Sequence, residues 1–538
     1  MKRPTGTPQV AVVVIGHNDA SHATDAVRSA LAQGPAVAEV VAVDDCSTDS
    51  SADLLAALAA TEPRVRLIRR PANSGGCGTP RNTGLDAVTS PYVMFLDSDD
   101  ILPPGAVDAL LTAATEACAE VAGGLCVRRE LPEGREVPWQ ASLYAAHAVI
   151  ERPALRPRLV HDTLCVNKLY RTDFLNAHGI RFPEGRFPYE DFVFTARMLA
   201  AGPRIALVPD TVYVWHVRRS AERLSISLDR AGIENWQART HACRLTYEIL
   251  LTAGQKALAR AARAKFLDHE LRMYVRELGL HDAHYRRAWW AHTRAYLAEY
   301  DAADWAGNPT APGRILARVV LASPEPRDLP RLRDLAARPA RLLPPYAHAS
   351  DGTPVWSADL PRITLEPLLT RPVRLLPLAV DAELRPRARA TRLRLRLRLH
   401  DLYGRLSEAG GESGPETVEV EWRRRGDGHA GHSRTTALAP TPDGKWSAET
   451  TVDAAALGAG TWDLRLRLVF RDGAHRDVTA HALAGAGLLR RRAVLSARHG
   501  VVLVQPYATH SGALALRVAT GSRGIVAVAR RRLRHLLH

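Results

Sequence analysis

The sequence predicts an α/β domain, then a helical region, then an all-β region. Between residues 10 and 126, short apolar runs alternate with amphipathic stretches, as expected for a mostly parallel sheet with helices on both faces. After residue 225, apolar residues recur at helical spacing. Beyond residue 345, "TRLRLRLRLH" (391–400) and "TWDLRLRLVF" (461–470) alternate apolar and polar residues with the period of a β-strand.

Strand-like and helix-like runs follow one another in the α/β domain. The strand-like runs are "VAVVVIG", "EVVAVDD", "VRLIRR" and "YVMFLD", and the helix-like runs are "AVRSALAQ", "SADLLAALAA", "TPRNTGLDAV" and "AVDALLTAATEA". Ligands of such sheets bind beyond the carboxyl ends of the strands. The clusters "GHND" (16–19), "DDCSTD" (44–49) and "DSDD" (97–100) are therefore predicted to share one rim.

The predicted domains are 1–225, 226–345 and 346–538. The second is a helical linker domain, and its Pro/Arg-rich part, 309–345, predicts a linker or an irregular connection. Turn-rich stretches such as "TPDGKW" and "FRDGAH" separate the strand runs of the third, which predicts an antiparallel, immunoglobulin-like β-sandwich. Whether that region forms one unit or two small ones is left open.

Composition limits the class of protein. The chain has 538 residues, 46% of them hydrophobic and 24% charged, which predicts several folded domains and excludes wholesale disorder. A formal net charge of +15 favours anionic partners without choosing among them. Six cysteines without paired spacing predict reduced thiols in a cytosolic protein. The apolar run near the N-terminus lacks a cleavage site, and no later run reaches the ~20 residues of a membrane span, so we expect neither export nor membrane insertion.

The stretch "MFLDSDD" takes an apolar strand directly into Asp97, Asp99 and Asp100. Carboxylates that close repel one another unless a cation lies among them. A strand that ends in Asp-x-Asp presents both carboxylates on one side, and oxygen ligands suit Mg²⁺ or Mn²⁺. The alternative interpretation is a turn or a helix cap, which Asp and Ser also favour.

Six motifs occur in the order typical of one enzyme family: "VVVIGHND", "VVAVDDCSTDSS", "NSGGCGTPRNTGLD", "YVMFLDSDD", "YED" (189–191) and "YVWHVRRSAERLSIS" (213–227). On these motifs, residues 8–230 resemble the inverting family 2 glycosyltransferases of the GT-A fold. In particular, the chain is similar to wall teichoic acid glycosyltransferases of the polyribitol-phosphate N-acetylglucosaminyltransferase type. In that group, a β-sandwich follows a helical linker.

The resemblance implies roles for individual residues. Asp97 and Asp99 would hold Mn²⁺ or Mg²⁺, and Asp97 would also contact the donor. Asp191 would be the general base, with Glu190 orienting the acceptor or the base. A uridine pocket would be lined by His17, Asn18, Asp44, Asp45, Asn73 and Arg81, and a segment closing over the donor diphosphate would contain Arg218, Arg219, Arg223 and Ser225. Which of Asp44 and Asp45 contacts uracil is left open.

Alternative interpretations accompany these roles. The "DDCSTD" run also makes a good helix start, "NSGGCG" also fits a plain glycine turn, and two acids at a helix start are stabilised by its dipole. The segment 218–227 would otherwise be a solvated basic loop. Arginines on the strand runs are interpreted as the solvent face of the sheet.

The function implied is metal-dependent, inverting transfer from a UDP-sugar, UDP-GlcNAc among the candidates, to a hydroxyl of a cell-wall glycopolymer such as teichoic acid. The implied partners are that donor, the anionic polymer and further copies of the chain in a trimer, with no nucleic acid. The basic run "ARRRLRHLLH" (529–538) leaves open a peripheral contact with the inner face of the membrane. Two alternatives are an inactive polymer-binding or assembly protein and a nucleotidyltransferase. The latter would carry a Gly-rich, basic loop where this chain has "IGHNDASH".

Overall fold

The structure is a computed structural model that describes residues 9–132, 134–218, 230–308, 310–386, 392–409, 413–483, 492–496, 500–509 and 511–521. The chain divides into two compact units. The first comprises Met1–Leu267 and Ala283–Gly307, and the second comprises Asp268–Asp282 and Asn308–His538. The division into three domains with boundaries at 225 and 345 stays a prediction.

Helices and strands of the described residues are numbered in chain order. The strands are β1 Val10–Gly16, β2 Val37–Asp44, β3 Val65–Arg69, β4 Tyr92–Asp97, β5 Val121–Leu131, β6 Arg135–Trp139, β7 Ala148–Ile150, β8 Lys168–Arg171, β9 Ile205–Arg218, β10 Ala347–His348, β11 Pro354–Val355, β12 Val380–Pro386, β13 Arg392–His400, β14 Pro415–Arg424, β15 Ala430–Ala437, β16 Ala439–Thr441, β17 Lys445–Asp453, β18 Gly460–Phe470, β19 His475–Val478, β20 Ala480–Ala482, β21 Arg492–Ser496, β22 Gly500–Ala508 and β23 Leu514–Thr520. The helices are α1 Ala23–Leu31, α2 Ser51–Thr61, α3 Gly78–Ala87, α4 Ala106–Glu116, α5 Thr172–Ala177, α6 Glu190–Ala200, α7 Ile233–Thr252, α8 Lys256–Lys265, α9 Arg272–Leu278, α10 Ala283–Leu297, α11 Ala302–Ala306, α12 Pro312–Ala322, α13 Leu329–Ala336, α14 Glu366–Leu369, α15 Arg405–Glu408 and α16 Ala454–Leu457.

The first unit contains a sheet in the order β3-β2-β1-β4-β8-β5-β9-β7, with β6 beside β5. Its first half, β3-β2-β1-β4, is parallel throughout, as the apolar runs predict. Strand β8 enters between β4 and β5 and runs antiparallel to both, while β9 is parallel to β5. The sheet is therefore parallel over β1 to β4 and mixed beyond.

Helix α3 packs closely on β1, and this packing sets the position of Arg81 relative to the end of the sheet. Both faces of β1 are covered, and Val10 to Val14 are at most 2% exposed. A Cβ at Gly84 of α3 would lie 2.3 Å from Cγ1 of Val13, so only glycine allows the helix this close to the strand. Arg81, one helical turn earlier on α3, is thereby held beside the end of the sheet.

The second unit contains two larger sheets and a two-stranded ribbon. The larger sheets have the orders β16-β17-β13-β12-β20 and β15-β14-β18-β23-β22-β21, with β19 beside β18. Their pairs are antiparallel except for the parallel pair β12 and β20. Leu395 and Leu399 of β13 are fully buried, whereas Arg394 and Arg396 pair with Glu449 on the opposite face. The arginine alternation thus marks a solvent face with its charge partly neutralised.

The prediction of a linker or irregular connection over 309–345 was wrong. Helices α12 and α13 form within this stretch, and Leu316 and Leu332 are fully buried. Pro312 and Pro330 lie in the first turn of each helix, where a missing N–H leaves no intrahelical hydrogen bond unmade. Proline here marks helix starts rather than an irregular connection.

Two smaller predictions can be compared with the structure. All six cysteines, which lie within the described residues, are free thiols. Over the described part of the chain, none of the helices combines the length and the apolar character that a membrane crossing requires.

Candidate active site

The carboxyl ends of β1, β2 and β4 lie side by side. Gly16 at the end of β1 pairs with Asp44 of β2, and Ile15 pairs with Asp97 of β4. This register brings the predicted clusters 16–19, 44–49 and 97–100 to one edge of the sheet. The predicted shared rim is present.

Asp45 anchors the loop that follows β3. Its buried carboxylate lies 2.7 Å from Nε of Arg70 and accepts hydrogen bonds from the backbone N–H of Ser74 at 2.9 Å and its hydroxyl at 2.8 Å. The amide of Asn73 donates to the Asp45 carbonyl oxygen at 3.0 Å, and Nδ1 of His17 lies 3.0 Å from the same oxygen. Through these contacts, Asp45 links the ends of β1 and β2 to the loop after β3.

The carboxylate of Asp44 accepts fewer hydrogen bonds than that of Asp45. Its Oδ2 accepts from the backbone N–H of Ser47 at 3.0 Å, while Oδ1 is buried without a hydrogen-bond partner among the described residues. Nearby, the amide oxygen of Asn18 accepts from the backbone N–H of Thr48 at 2.7 Å. The N–H of Asn18 itself donates to the Ser47 hydroxyl at 2.9 Å. These bonds tie the end of β1 to the loop after β2.

Asp97 and Asp99 project from the end of β4. Oδ1 of Asp97 accepts from Nη2 of Arg81 at 2.6 Å. Nη1 of Arg218, the last residue of β9, lies 3.2 Å from the Asp99 carbonyl oxygen and 3.5 Å from its Oδ2. Partial desolvation, together with the charges of Asp97 and Asp19, raises the pKa of Asp99 to about 6. The charges of Asp97 and Asp19 thus oppose ionisation of Asp99, and that of Arg218 favours it.

Asp19 is a site residue that the sequence analysis did not single out. Its Oδ2 accepts from the hydroxyl of Ser98 at 2.7 Å, and its Oδ1 lies 2.6 Å from Nδ1 of His22. Ser98 is the residue between the two predicted metal ligands, so Asp19 fixes the turn that carries them. Its position in "GHND", at the end of β1, was the available signal.

Asp100 anchors β4 on β9 rather than facing the rim. Its buried carboxylate accepts from the hydroxyl of Tyr213 at 2.8 Å and from the backbone N–H of His216 at 2.7 Å. The Tyr213 hydroxyl in turn accepts from the backbone N–H of Asp97 at 3.2 Å. Burial, with the charges of Asp99 and Asp97, raises the pKa of Asp100, against the opposing effect of its hydrogen bonds from His216 and Tyr213.

The residues at this rim fit a divalent ion whose coordination is completed by phosphate oxygens and water. Among the described residues, no group of three or more His, Cys, Asp or Glu side chains could hold a metal by itself. Asp97 and Asp99 do supply two carboxylates at the end of one strand, and carboxylate oxygens are ligands that suit Mg²⁺ or Mn²⁺. Mg²⁺ is commonly bound by one or two carboxylates plus phosphate oxygens and water.

The second acidic pair begins helix α6. Glu190 and Asp191 are its first residues, preceded by Tyr189 with a left-handed φ of 66°. Oε1 of Glu190 accepts from Nη1 of Arg81 at 2.5 Å. Partial burial and the neighbouring Glu190 charge raise the pKa of Asp191 to about 7, against the opposing effect of Arg81.

Arg81 therefore joins the two acidic motifs. It is 3% exposed, and its two terminal nitrogens bind Asp97 and Glu190. The predicted part of Arg81 in a uridine pocket stays a prediction. Arg219, Arg223 and Ser225 of the predicted closing segment lie outside the described residues, as does the basic run 529–538.

Residues 11–179 match the family model described as Glycosyl transferase family 2. This segment contains the three polar clusters of the rim and Arg81, while Glu190, Asp191 and Arg218 lie beyond it. The chain carries a family 2 glycosyltransferase domain. The family predicted from the six ordered motifs is confirmed.

Curated relatives are similar over the same part of the chain. The succinoglycan biosynthesis protein ExoO of Rhizobium meliloti is 33% identical over 229 residues, which are 41% of this chain and 64% of that protein. The poly(ribitol-phosphate) beta-N-acetylglucosaminyltransferase TarS of Staphylococcus aureus is 30% identical over 217 residues, which are 40% of this chain and 36% of that protein. The match thus spans less than two thirds of either relative.

The crystal structure of S. aureus TarS is similar to this one with a TM-score of 0.54 at 18% identity, over 95% of this chain and 85% of that chain. A likeness at this identity shows the fold. The fold class predicted from the sequence, an α/β glycosyltransferase domain with a helical region and C-terminal antiparallel sheets, is confirmed.

Proposed function

We propose that this chain is a metal-dependent, inverting glycosyltransferase that moves a sugar from a UDP-sugar to a hydroxyl of an anionic cell-wall polymer. UDP-GlcNAc is the first donor to test, and teichoic acid is the first acceptor. The proposal draws on the family 2 domain, on the order of the motifs and on the named activity of TarS, to which the chain is similar.

One observation carries this proposal. The guanidinium of Arg81 contacts Asp97 at 2.6 Å and Glu190 at 2.5 Å, so its two terminal nitrogens hold the metal-ligand motif and the base motif close together. These residues are 16 and 109 positions away from Arg81 in the chain. Direct inversion needs the group that holds the leaving diphosphate and the base that takes the acceptor proton to lie in one site.

In this mechanism, Asp191 accepts the proton of the acceptor hydroxyl as its oxygen attacks the anomeric carbon, opposite the leaving diphosphate. Its raised pKa suits a base that works near neutral pH. Glu190 is fixed by Arg81 and orients the base or the acceptor. Mn²⁺ or Mg²⁺, held by Asp97 and Asp99, would neutralise charge on the leaving diphosphate when bound.

The donor contacts are divided between two groups of residues. Arg218, and by proposal Arg219, Arg223 and Ser225, bind the diphosphate, since the arginine fork matches phosphate oxygens. His17, Asn18, Asp44, Asp45 and Asn73 surround the nucleoside. Of the two aspartates, we assign the uracil contact to Asp44, because Asp45 already accepts several hydrogen bonds whereas Oδ1 of Asp44 has no partner among the described residues.

The remaining parts of the proposal concern the binding partners of the protein and its location in the cell. An anionic polymer acceptor accords with the net charge of +15, and the proposed partners include two further copies of the chain but no nucleic acid. The proposed location is the cytoplasm, with contact at the inner face of the membrane through the basic run 529–538.

The test is a screen of UDP-sugars for hydrolysis and transfer, with and without Mn²⁺, using ribitol-phosphate polymer as acceptor. We expect turnover of one donor, dependent on the ion, with a product of inverted anomeric configuration. Retention of configuration would contradict the mechanism. No turnover with any donor, together with tight polymer binding, would favour the inactive binding protein, and nucleotide transfer would favour a nucleotidyltransferase.

A further inference from the structure

Helix α7 presents a row of side chains to the start of α6. Residues 235, 239, 242 and 246 are spaced three or four apart and so lie on one helix face. Asn235 accepts a hydrogen bond from the Tyr189 hydroxyl at 2.8 Å, and Ala242 is buried in the same small cluster as Tyr189 and Phe192. The Thr246 hydroxyl lies 3.5 Å from the carbonyl oxygen of Phe192. The base motif is therefore packed against α7 over three turns.

Two cations are buried in this packing. The guanidinium of Arg239 on α7 lies 4.2 Å from the ring centre of Tyr189, and the ammonium of Lys265, the last residue of α8, lies 4.4 Å from that of Phe192. Arg239 is 8% exposed and Lys265 is 7% exposed. Burial of two positive charges is expensive unless negative charge or aromatic faces offset it. Tyr189 and Phe192 flank the Glu190 and Asp191 pair in sequence, and both cations favour the charged form of Asp191.

We propose that Arg239 and Lys265 are positioning residues of the transfer reaction, which hold the start of α6 through Tyr189 and Phe192 and stabilise the charged form of the Asp191 carboxylate. The inference rests on the proposed function, in which Asp191 is the base. It assigns a part in the reaction to helices α7 and α8, which lie outside the matched segment 11–179.

Charged and titratable groups act on Asp191 from every element packed around it. Those of the described residues are Glu190 on its own helix, Arg81 on α3, Cys165 before β8, Tyr170 on β8, Arg239 on α7 and Lys265 on α8. Burial raises the pKa of the Cys165 thiol and of the Tyr170 hydroxyl, so both stay neutral near pH 7. Glu190 opposes ionisation of Asp191, and the three cations favour it. Removal of either Arg239 or Lys265 therefore makes the base harder to deprotonate.

The experiment measures kcat/KM against pH for the full chain and for Lys265→Met and Arg239→Met, each of which replaces a cation by an apolar side chain. We expect the acidic limb of the profile to move to higher pH in each variant, by up to about 1 pH unit, since each variant removes a buried positive charge that favours the charged form of Asp191. Donor affinity, measured by calorimetry, should stay within a few-fold of the parent, and Lys265→Arg should restore the profile. Lys256→Met removes an exposed cation from the same helix α8 and should leave the profile unchanged.

The two cations lie on different helices, so one well-folded Met variant is enough to decide the point, with folding checked by thermal melting. An unmoved acidic limb in a folded variant would overturn the inference. An acidic limb that persists in the residual activity of Asp191→Asn would overturn the assignment of the base itself, and this inference with it. The two failures are distinguishable. An unmoved limb in a Met variant contradicts only the roles of Arg239 and Lys265, whereas a limb that persists in Asp191→Asn contradicts the assignment of the base.

Discussion

At the scale of single residues, the two acidic motifs of the site both depend on Arg81, a buried side chain whose terminal nitrogens bind one acid of each motif. The motif "TPRN" at the start of α3 predicted that this arginine belongs to the site, but not that its nitrogens bind Asp97 and Glu190. Those contacts depend on long-range packing, which motif spacing does not contain. The same holds for Asp19, whose link to Ser98 follows from the pairing of β1 with β4.

The metal-ligand assignment gives the first prediction. Asp99→Asn keeps the size of the side chain but removes the charge that would hold the ion, so we expect donor turnover to fall by at least about 10²-fold, a typical loss for a group that stabilises developing charge. Turnover should be measured over a Mn²⁺ titration. Asp108→Asn, on the exposed face of α4, is the matched control and should behave as the parent. Full activity of Asp99→Asn, or of the parent in EDTA, would contradict metal dependence.

The raised pKa of Asp191 gives a pH prediction. A base with a pKa of about 7 is mostly protonated below that pH, so kcat/KM should fall about tenfold per pH unit on the acidic side and level off above it. Because Glu190 adjoins Asp191, the limb reports the pair rather than either carboxyl alone. A rate that is constant from pH 5 to pH 8 would rule out a carboxylate base with a raised pKa.

At the scale of elements, alternation and motif order identified the helices and strands that carry the site. The pairing of Gly16 with Asp44 and of Ile15 with Asp97 follows from parallel strands whose ends were already marked by polar clusters. The position of β8 between β4 and β5 did not follow, since a short strand of four residues gives little periodicity. The prediction for 309–345 was wrong because Pro312 and Pro330 lie in the first turns of α12 and α13, where proline does not interrupt a helix.

The close approach of α3 to β1 gives an element-scale prediction. Gly84→Ala adds a Cβ that would lie 2.3 Å from Val13, so α3 must shift, and with it Arg81. We expect a loss of about 1–3 kcal/mol in the free energy of unfolding and reduced turnover, measured by chemical denaturation and by kinetics. Gly279→Ala is the control, because no atom lies within 4 Å of its Cβ position and its φ of −66° suits alanine. Equal stability of Gly84→Ala and the parent would show that α3 does not pack this closely.

At the scale of the whole molecule, the second unit is not a simple C-terminal addition. It includes Asp268–Asp282 as well as Asn308–His538. Within it, Arg272 of α9 donates to the carbonyl oxygens of Ala336 and Ala337 at the end of α13. The sequence predicted the three classes of structure in order, but the interleaving of the units depends on contacts between residues more than 60 positions apart, such as that of Arg272 with Ala336.

This interleaving predicts how truncations behave. A chain that ends at residue 345 keeps the contacts of α9 with α13 and should remain soluble with donor hydrolysis intact. A chain that ends at residue 307 leaves α9 without α13 and should aggregate or melt at a lower temperature.

The proposed trimer gives a separate prediction for the full chain. Light scattering should give about three times the mass of one chain, and a single-chain mass would contradict the proposed trimer.

The central claim is that Asp191 is the base of a transfer reaction whose donor is held by other residues. The most direct test compares Asp191→Asn with the parent in one experiment that yields both kcat and the dissociation constant for the donor. We predict a fall in kcat of about 10²–10⁴-fold, the usual contribution of general-base catalysis, with donor affinity within a few-fold of the parent. Lost donor binding with transfer preserved at saturating donor would contradict the claim and place Asp191 in the nucleotide pocket, with Glu190 the next candidate for the base.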